Sequence, residues 1–340
     1  MSARRVSGIT MDGHHDIYYL NELRRAGVEH PLASDILPRW RGVGLDMIVY
    51  AFAGDSQLHV NKSDLPLRGA LENLEEVREE IADTAGRVRL VRWREDLPVR
   101  PSDVFSLMLT IEGGRPLEGS VRLLRTFFEL GVRMVQPMWN YRNELGDGAM
   151  ELETGGGLSR AGVDIVREMN RLGMVVDVAH AAPRGFWQML EINQGPLVCS
   201  HANSAAVTPH PRNLADDQLR AVAQTGGVIG LQHSPGRIDP THPTLSKMLD
   251  HLDHMVQTAG VDHVGIGLDL SGRLQRRRPP KDETFASKEP TVLDGFETLA
   301  EFPHLIDGIF DRGYSDADVD KIAGGNFLRV FRQVLPARPS

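Results

Sequence analysis

Cysteine is nearly absent from this chain: its 340 residues include one, Cys199. A disulfide scaffold is therefore excluded, and an unpaired thiol fits a reducing compartment. Long apolar runs are also missing. The best candidate, Val43 to Ala53, is interrupted by Asp46 and falls short of the ~18 residues a membrane span needs. The stretch Met1-Ser-Ala-Arg-Arg-Val-Ser-Gly8 meets Asp12 without forming the apolar core of a signal peptide, so a soluble, cytoplasmic protein with no membrane partner is expected. Positive charge is in deficit as well. Thirty-eight Lys and Arg against 46 Asp and Glu leave a net charge of -8. That is the wrong sign for a nucleic-acid partner.

With 41% hydrophobic and 25% charged residues, the chain is too apolar to be disordered and matches an ordinary globular protein. Its length suits two domains of ~150 residues or one barrel of ~250 to 400. The order of elements decides between them. Short apolar runs recur at Val6–Met11, Val43–Phe52, Phe105–Ile111, Val132–Met138, Met174–Ala179, Pro196–Ser200, Gly227–Gln232 and Val264–Leu270. Most are continuously apolar, as parallel strands covered on both faces are. Amphipathic helices are predicted between them. Leu67–Ala85 places Leu71, Leu74, Val77 and Ile81 on one face. Leu117–Leu130 and Ser159–Leu172 follow, with Ser159 as N-cap and Gly131 and Gly173 at their C-terminal ends. Eight strands alternating with helices predict an α/β protein, a single (β/α)8 TIM barrel over residues 1–340 with C-terminal helices packed on it. An open doubly wound sheet is the alternative, because periodicity does not show closure.

Functional residues of such a barrel lie at the C-terminal ends of its strands. Here the first strand ends in Asp12-Gly-His-His-Asp16 and the third in Glu112-Gly-Gly114. The fifth, sixth, seventh and eighth end in His180, His201, His233 and Asp269. A core has no use for so many ionisable groups unless they are paired or bind metal. His14 and Asp16, two apart on extended backbone, point the same way while His15 points elsewhere. His180 and His201 end adjacent strands, and Glu112 has two oxygens with which to bridge. The donor count therefore suits two ions, His14 with Asp16 on one and His180 with His201 on the other. Imidazole with carboxylate suits zinc, and manganese, iron and cobalt stay open. Three protein ligands per ion leave an open position for a bridging hydroxide, a hydrolytic arrangement. His233 is left out of the site, since Gln232 or Ser234 competes for its position.

In these stretches, and in Arg167–Gly173, Asp177-Val-Ala-His180, Ser200-His-Ala-Asn203, His210-Pro-Arg-Asn213, Val261–Gly267 and Gly324–Phe331, the chain resembles the membrane dipeptidase (renal dipeptidase) family of zinc metallopeptidases, in its soluble bacterial-type branch. The resemblance implies a metal-dependent hydrolase barrel with two Zn2+ bridged by Glu112. By it, Asp269 handles the proton of the attacking water and Arg212 holds the substrate's terminal carboxylate. It also implies a small dipeptide-like substrate with a free carboxylate, and it allows dipeptides with a C-terminal D-residue, thiol-conjugate remnants or β-lactams. Homodimers occur in the family, although no self-complementary patch is visible in this sequence. One departure stands out. The fourth strand of the family typically ends in a histidine that contacts the substrate carbonyl, and here Trp139 takes that place, followed by Asn140. Indole donates one hydrogen bond and carries no charge. Ser271 stands where a second acidic residue is common. The basic run Arg273–Lys281 follows the eighth strand, either as a solvated loop or as a rim favouring anionic substrates.

Three readings of function are thus open: a zinc dipeptidase or related amide hydrolase, a biosynthetic enzyme of specialised metabolism acting on an unusual peptide-like intermediate, and a catalytically silent metal-binding barrel. Retention of all five ligands and Asp269 weighs against the last.

Overall fold

The computed structural model describes residues 6–16, 20, 23–24, 26–54, 65–151, 153–270 and 292–339. Ser271 and the basic run Arg273–Lys281 lie outside the described residues. The strands are β1 (Met11–Asp16), β2 (Met47–Ala53), β3 (Val88–Leu90), β4 (Phe105–Glu112), β5 (Val132–Gln136), β6 (Val175–Val176), β7 (Val198–Ala202), β8 (Val228–Leu231) and β9 (Val264–Ile266). All pair in parallel, in two arcs ordered β1-β2-β4-β5-β6 and β7-β8-β9. Parallel bridges Asp177 to Val198 and His15 to Leu270 join the arcs, so eight strands make a ring. The strand β3 stands beside it, paired to the first half of β4.

Side-chain alternation divides each strand between two layers. On β4, Phe105, Leu107, Leu109 and Ile111 join the large apolar layer between ring and helices, while Met108 joins a smaller cluster inside the ring. That inner cluster also holds Met11, Met47, Val49, Met134, Val175, Val198 and Val228, closed by Phe327 and Phe331 of the helix Asn326–Val334. Each buried Phe contributes about 1.5–3 kcal/mol. The fit explains Gly13, because a Cβ there would lie 2.4 Å from the Phe327 ring. Above the apolar plug the buried positions turn polar: Thr110 and Glu112 on β4, and Ser200 and His201 on β7, where the register shifts between Cys199 and Ala202.

Several boundaries differ from the sequence expectation. The first strand runs Met11–Asp16 rather than Val6–Met11. Residues before it are held by side chains instead of a ladder, with Ser7 and Gly8 donating to Asp320 and Thr10 to Asp46. The second strand starts at Met47, because the helix Leu37–Gly42 and a left-handed turn at Gly44 occupy the preceding residues. The last strand stops at Ile266, where Leu268 N–H turns to Asp12 Oδ1 at 2.8 Å. The predicted helix Leu117–Leu130 starts at Val121, with Ser120 capping Leu123 N–H. By contrast, Ser159 caps the helix Arg160–Leu172 and Gly173 ends it in the left-handed conformation. No helix of the described residues is long and apolar enough to cross a membrane.

Candidate metal centre

The ring brings the strand-end residues to one place. His14 Nε2 lies 3.6 Å from Asp16 Oδ1, 3.7 Å from Glu112 Oε1 and 4.0 Å from Asp269 Oδ1. Glu112 Oε1 is also 3.2 Å from His180 Nε2 and 3.9 Å from His201 Nε2. One ligand atom from each of His14, Glu112, His201 and Asp269 falls within 4.8 Å of the others. All five expected ligands are buried. His15 faces outward, its Nδ1 2.9 Å from Asp12 Oδ2 and its Nε2 accepting the Trp40 indole N–H at 3.2 Å.

The far side of each histidine is fixed. His180 Nδ1 pairs with Asn140 Oδ1 at 2.8 Å, and Trp139 stacks near its ring at 6.0 Å between centroids. Ser200 Oγ lies 2.8 Å from His201 Nδ1 and 3.3 Å from His14 Nδ1. With these Nδ1 atoms protonated, all three Nε2 lone pairs face the cluster. That is how neighbouring partners orient metal-binding imidazoles. The Nε2 of His14 is buried without a hydrogen-bond partner among the described residues, an arrangement that costs free energy unless a cation accepts the lone pair. The donor set therefore fits a metal.

Electrostatics agree. Burial opposes a charge on His14, but Asp16, Glu112 and Asp269 outweigh it and raise its pKa to about 10. Burial, with Asp16 adding to it, pushes Glu112 up to about 8. Burial and the surrounding cations Arg212 and Arg237 hold His180 well below the ordinary imidazole value, and burial with His14 does the same to His201. The carboxylate side of the cluster thus demands positive charge, which His14 shares, while His180 and His201 reject a proton.

Backbone strain marks the same place. His180 (φ 65°) and Asp269 (φ 56°) adopt the left-handed conformation that residues with a Cβ avoid. His180 is held by Ala149 N–H donating to its carbonyl at 2.7 Å, which sews the 139–158 excursion onto the site. Gln232 Nε2 donates to Asp269 Oδ2, and Arg237 Nη1 approaches the same oxygen at 3.6 Å.

Arg212 is buried at 3% exposure, with Nε and Nη2 lacking an acceptor among the described residues. Burial, reinforced by Arg237, lowers its pKa to about 9, so it stays cationic at neutral pH. A cavity of about 220 Å3 opens between its loop and that of His180, lined also by Pro183, Ala205 and His210. His233 hydrogen-bonds the Phe296 carbonyl at 2.6 Å.

Ser200, Arg237 and His251 hold positions at the site that the sequence alone does not single out. The last occupies the apolar stripe of the helix Leu245–Ala259, beside Met248, Leu252 and Met255. It receives Ser204 N–H at 3.1 Å and faces Ile238 O at 3.1 Å. A histidine in an apolar stripe was the available signal; Arg237, on a four-residue helix, offered none.

A parallel ring with a buried imidazole–carboxylate cluster at its strand ends places the protein among metal-dependent hydrolases. More particularly, the chain belongs to the family described as membrane dipeptidase (peptidase family M19), whose sequence pattern matches residues 5–338. It is 37% identical over 257 residues to an uncharacterized dipeptidase of Schizosaccharomyces pombe, covering 74% of this chain and 57% of that one. It is 34% identical over 266 residues to an uncharacterized Klebsiella pneumoniae protein from the region 5' of pqqA, covering 75% and 92%. The chain thus spans nearly all of the bacterial relative and little more than half of the yeast one. Among solved structures, a dipeptidase described as a metallopeptidase superimposes with a TM-score of 0.84 at 24% identity, covering 97% of this chain and all of that one. A Rhodobacter sphaeroides metallopeptidase bound to a phosphinate mimic of L-Ala-D-Ala gives 0.82 at 23% identity, covering 96% and 99%. These likenesses bear out the barrel fold.

Proposed function

We propose that the chain is a binuclear zinc hydrolase that cleaves the amide bond of a dipeptide or dipeptide-like molecule with a free carboxylate. The observation that carries this is the convergence of three oriented imidazoles on Glu112, flanked by Asp16 and Asp269. His14 and Asp16 would hold one ion, His180 and His201 the other, with Glu112 shared between them. Two zinc ions there supply Lewis acidity, which brings water within reach of ionisation at neutral pH.

The remaining work falls to the chain's own groups. Asp269, one-fifth exposed and held by Gln232, accepts the water's proton and returns it to the leaving amine. The guanidinium of Arg212 offers a planar fork for the terminal carboxylate. Trp139 and Asn140 form the adjoining wall, Asn140 doing so while it orients His180. Trp139 stands where the family typically has the histidine that contacts the substrate carbonyl. The lone buried Cys199 supports a cytoplasmic setting.

The test is a panel of L,L and L,D dipeptides, with bound metal measured on the same preparation. Turnover with two zinc ions per chain is expected. Two zinc ions without turnover on any dipeptide overturns the dipeptidase reading and favours an unusual peptide-like substrate. Failure to bind metal overturns both.

A further inference from the structure

Two arginines of the described residues, not one, border the cluster. Arg237 lies on the short helix Pro235–Ile238 that follows β8. Its side chain is 17% exposed, and Nη1 is buried, 3.6 Å from Asp269 Oδ2 and without a hydrogen bond. Arg212 comes from the separate loop that follows β7, with its own two buried N–H groups unmatched.

The two carriers are tied into one unit. The Asn213 side-chain amide donates to Thr208 O at 2.8 Å and to Arg237 O at 2.9 Å. Thr208 Oγ1 donates to Ile238 O at 2.6 Å, and His251 reaches the same carbonyl while receiving Ser204 N–H. These bonds fix the main chain beside each guanidinium, so neither arginine is placed by chance. Among the described residues, Arg212 Nε and Nη2 and Arg237 Nη1 are buried without a hydrogen-bond acceptor. Such a pair persists where anions arrive to match it.

Counting acceptors then identifies the missing partner. One planar guanidinium uses both oxygens of one carboxylate. The terminal carboxylate of the substrate therefore satisfies Arg212 and leaves Arg237, among the described residues, with only Asp269, which already accepts from Gln232 and has a proton to move. We propose that Arg237 is a specificity residue for a second carboxylate on the released residue, so that preferred substrates end in aspartate or glutamate. This rests on the hydrolase reading above.

The experiment compares wild type with Arg237→Met and Arg237→Lys, at matched bound zinc. Two dipeptides differing only in a C-terminal Ala or Asp are assayed for kcat/KM. Free alanine and free aspartate are titrated calorimetrically as product ligands. The wild type is expected to favour the aspartate member of each pair. Arg237→Met is expected to lower that Asp/Ala ratio by about 10-fold or more, with Arg237→Lys in between. An unchanged ratio in Arg237→Met overturns the proposal, even if overall activity falls, because both arginines would then grip the same carboxylate. If no dipeptide is cleaved but aspartate binds in an Arg237-dependent way, the second-carboxylate site stands and the hydrolase reading fails. If the dipeptide with C-terminal alanine is cleaved and neither aspartate nor its dipeptide is favoured, the reverse holds.

Discussion

The Nε2 atoms of His180 and His201 face each other at 2.9 Å. Each ring's Nδ1 is already engaged, by Asn140 and by Ser200. With both Nδ1 atoms protonated, two lone pairs point at one another, and a cation between or beside them relieves the repulsion. The same serine hydroxyl also faces His14 Nδ1, so one side chain orients an imidazole in each proposed zinc site. Replacing it should weaken metal binding at both. We expect Ser200→Ala to lose about 10- to 100-fold in zinc affinity. Competition against a chromophoric chelator measures this, and wild-type affinity in the variant would remove Ser200 from the orienting role.

Arg212 is the group assigned to the terminal carboxylate. Truncating a buried, charge-paired arginine typically costs about 2–5 kcal/mol, which corresponds to a drop in kcat/KM of ~30-fold to several thousand-fold. Arg212→Met should show that loss. Arg212→Lys should recover little of it, because an ammonium lacks the planar fork. Wild-type kcat/KM in either variant speaks against the assignment.

Asp269 is expected to act on the proton rather than on metal retention. Asp269→Asn keeps the shape and the bond from Gln232's neighbourhood but no longer accepts a proton. The expected outcome is a fall in kcat of about 100- to 10,000-fold with bound zinc near the wild-type level. A variant that turns over normally would return the proton-transfer role to another group.

Acid stability tests an ion pair remote from the site. Glu168, on the helix Arg160–Leu172, pairs with Arg171 at 2.6 Å and with Arg125 of the neighbouring helix Val121–Glu129 at 2.6 Å. Hydrogen bonds from these arginines hold its pKa down at about 2. A depressed carboxylate stabilises the fold above its unfolded-state pKa and loses that contribution as pH falls through the folded-state value. The melting temperature of wild type should therefore exceed that of Glu168→Gln at neutral pH, and the gap should close between about pH 4.5 and 2. A gap that does not vary with pH would mean that the charge contributes nothing.

Much of this architecture is legible in the sequence, and the reason is physical. Apolar runs that end in His, Asp or Glu violate core composition, so the residues brought together here announce themselves. Boundaries are less legible where function intrudes. The strand β1 contains its own polar ligands, which reads as a loop, and β3 is only three residues long. The 139–158 excursion has no periodicity to follow. Its course depends on close contacts such as Gly148, where a Cβ would lie 1.9 Å from the Trp139 carbonyl. Arg237 and His251 act through partners distant in sequence, Asn213 and Ser204, and no local pattern encodes those meetings.

The central claim is that two zinc ions, held by the His14–Asp16 and His180–His201 pairs across Glu112, are required for turnover. Dipeptide hydrolysis followed against zinc added back to fully chelated protein tests it most directly. The account predicts no turnover in the metal-free chain and full activity only as bound zinc approaches two per chain. Full activity in the metal-free protein, or a plateau at one zinc per chain, would contradict it.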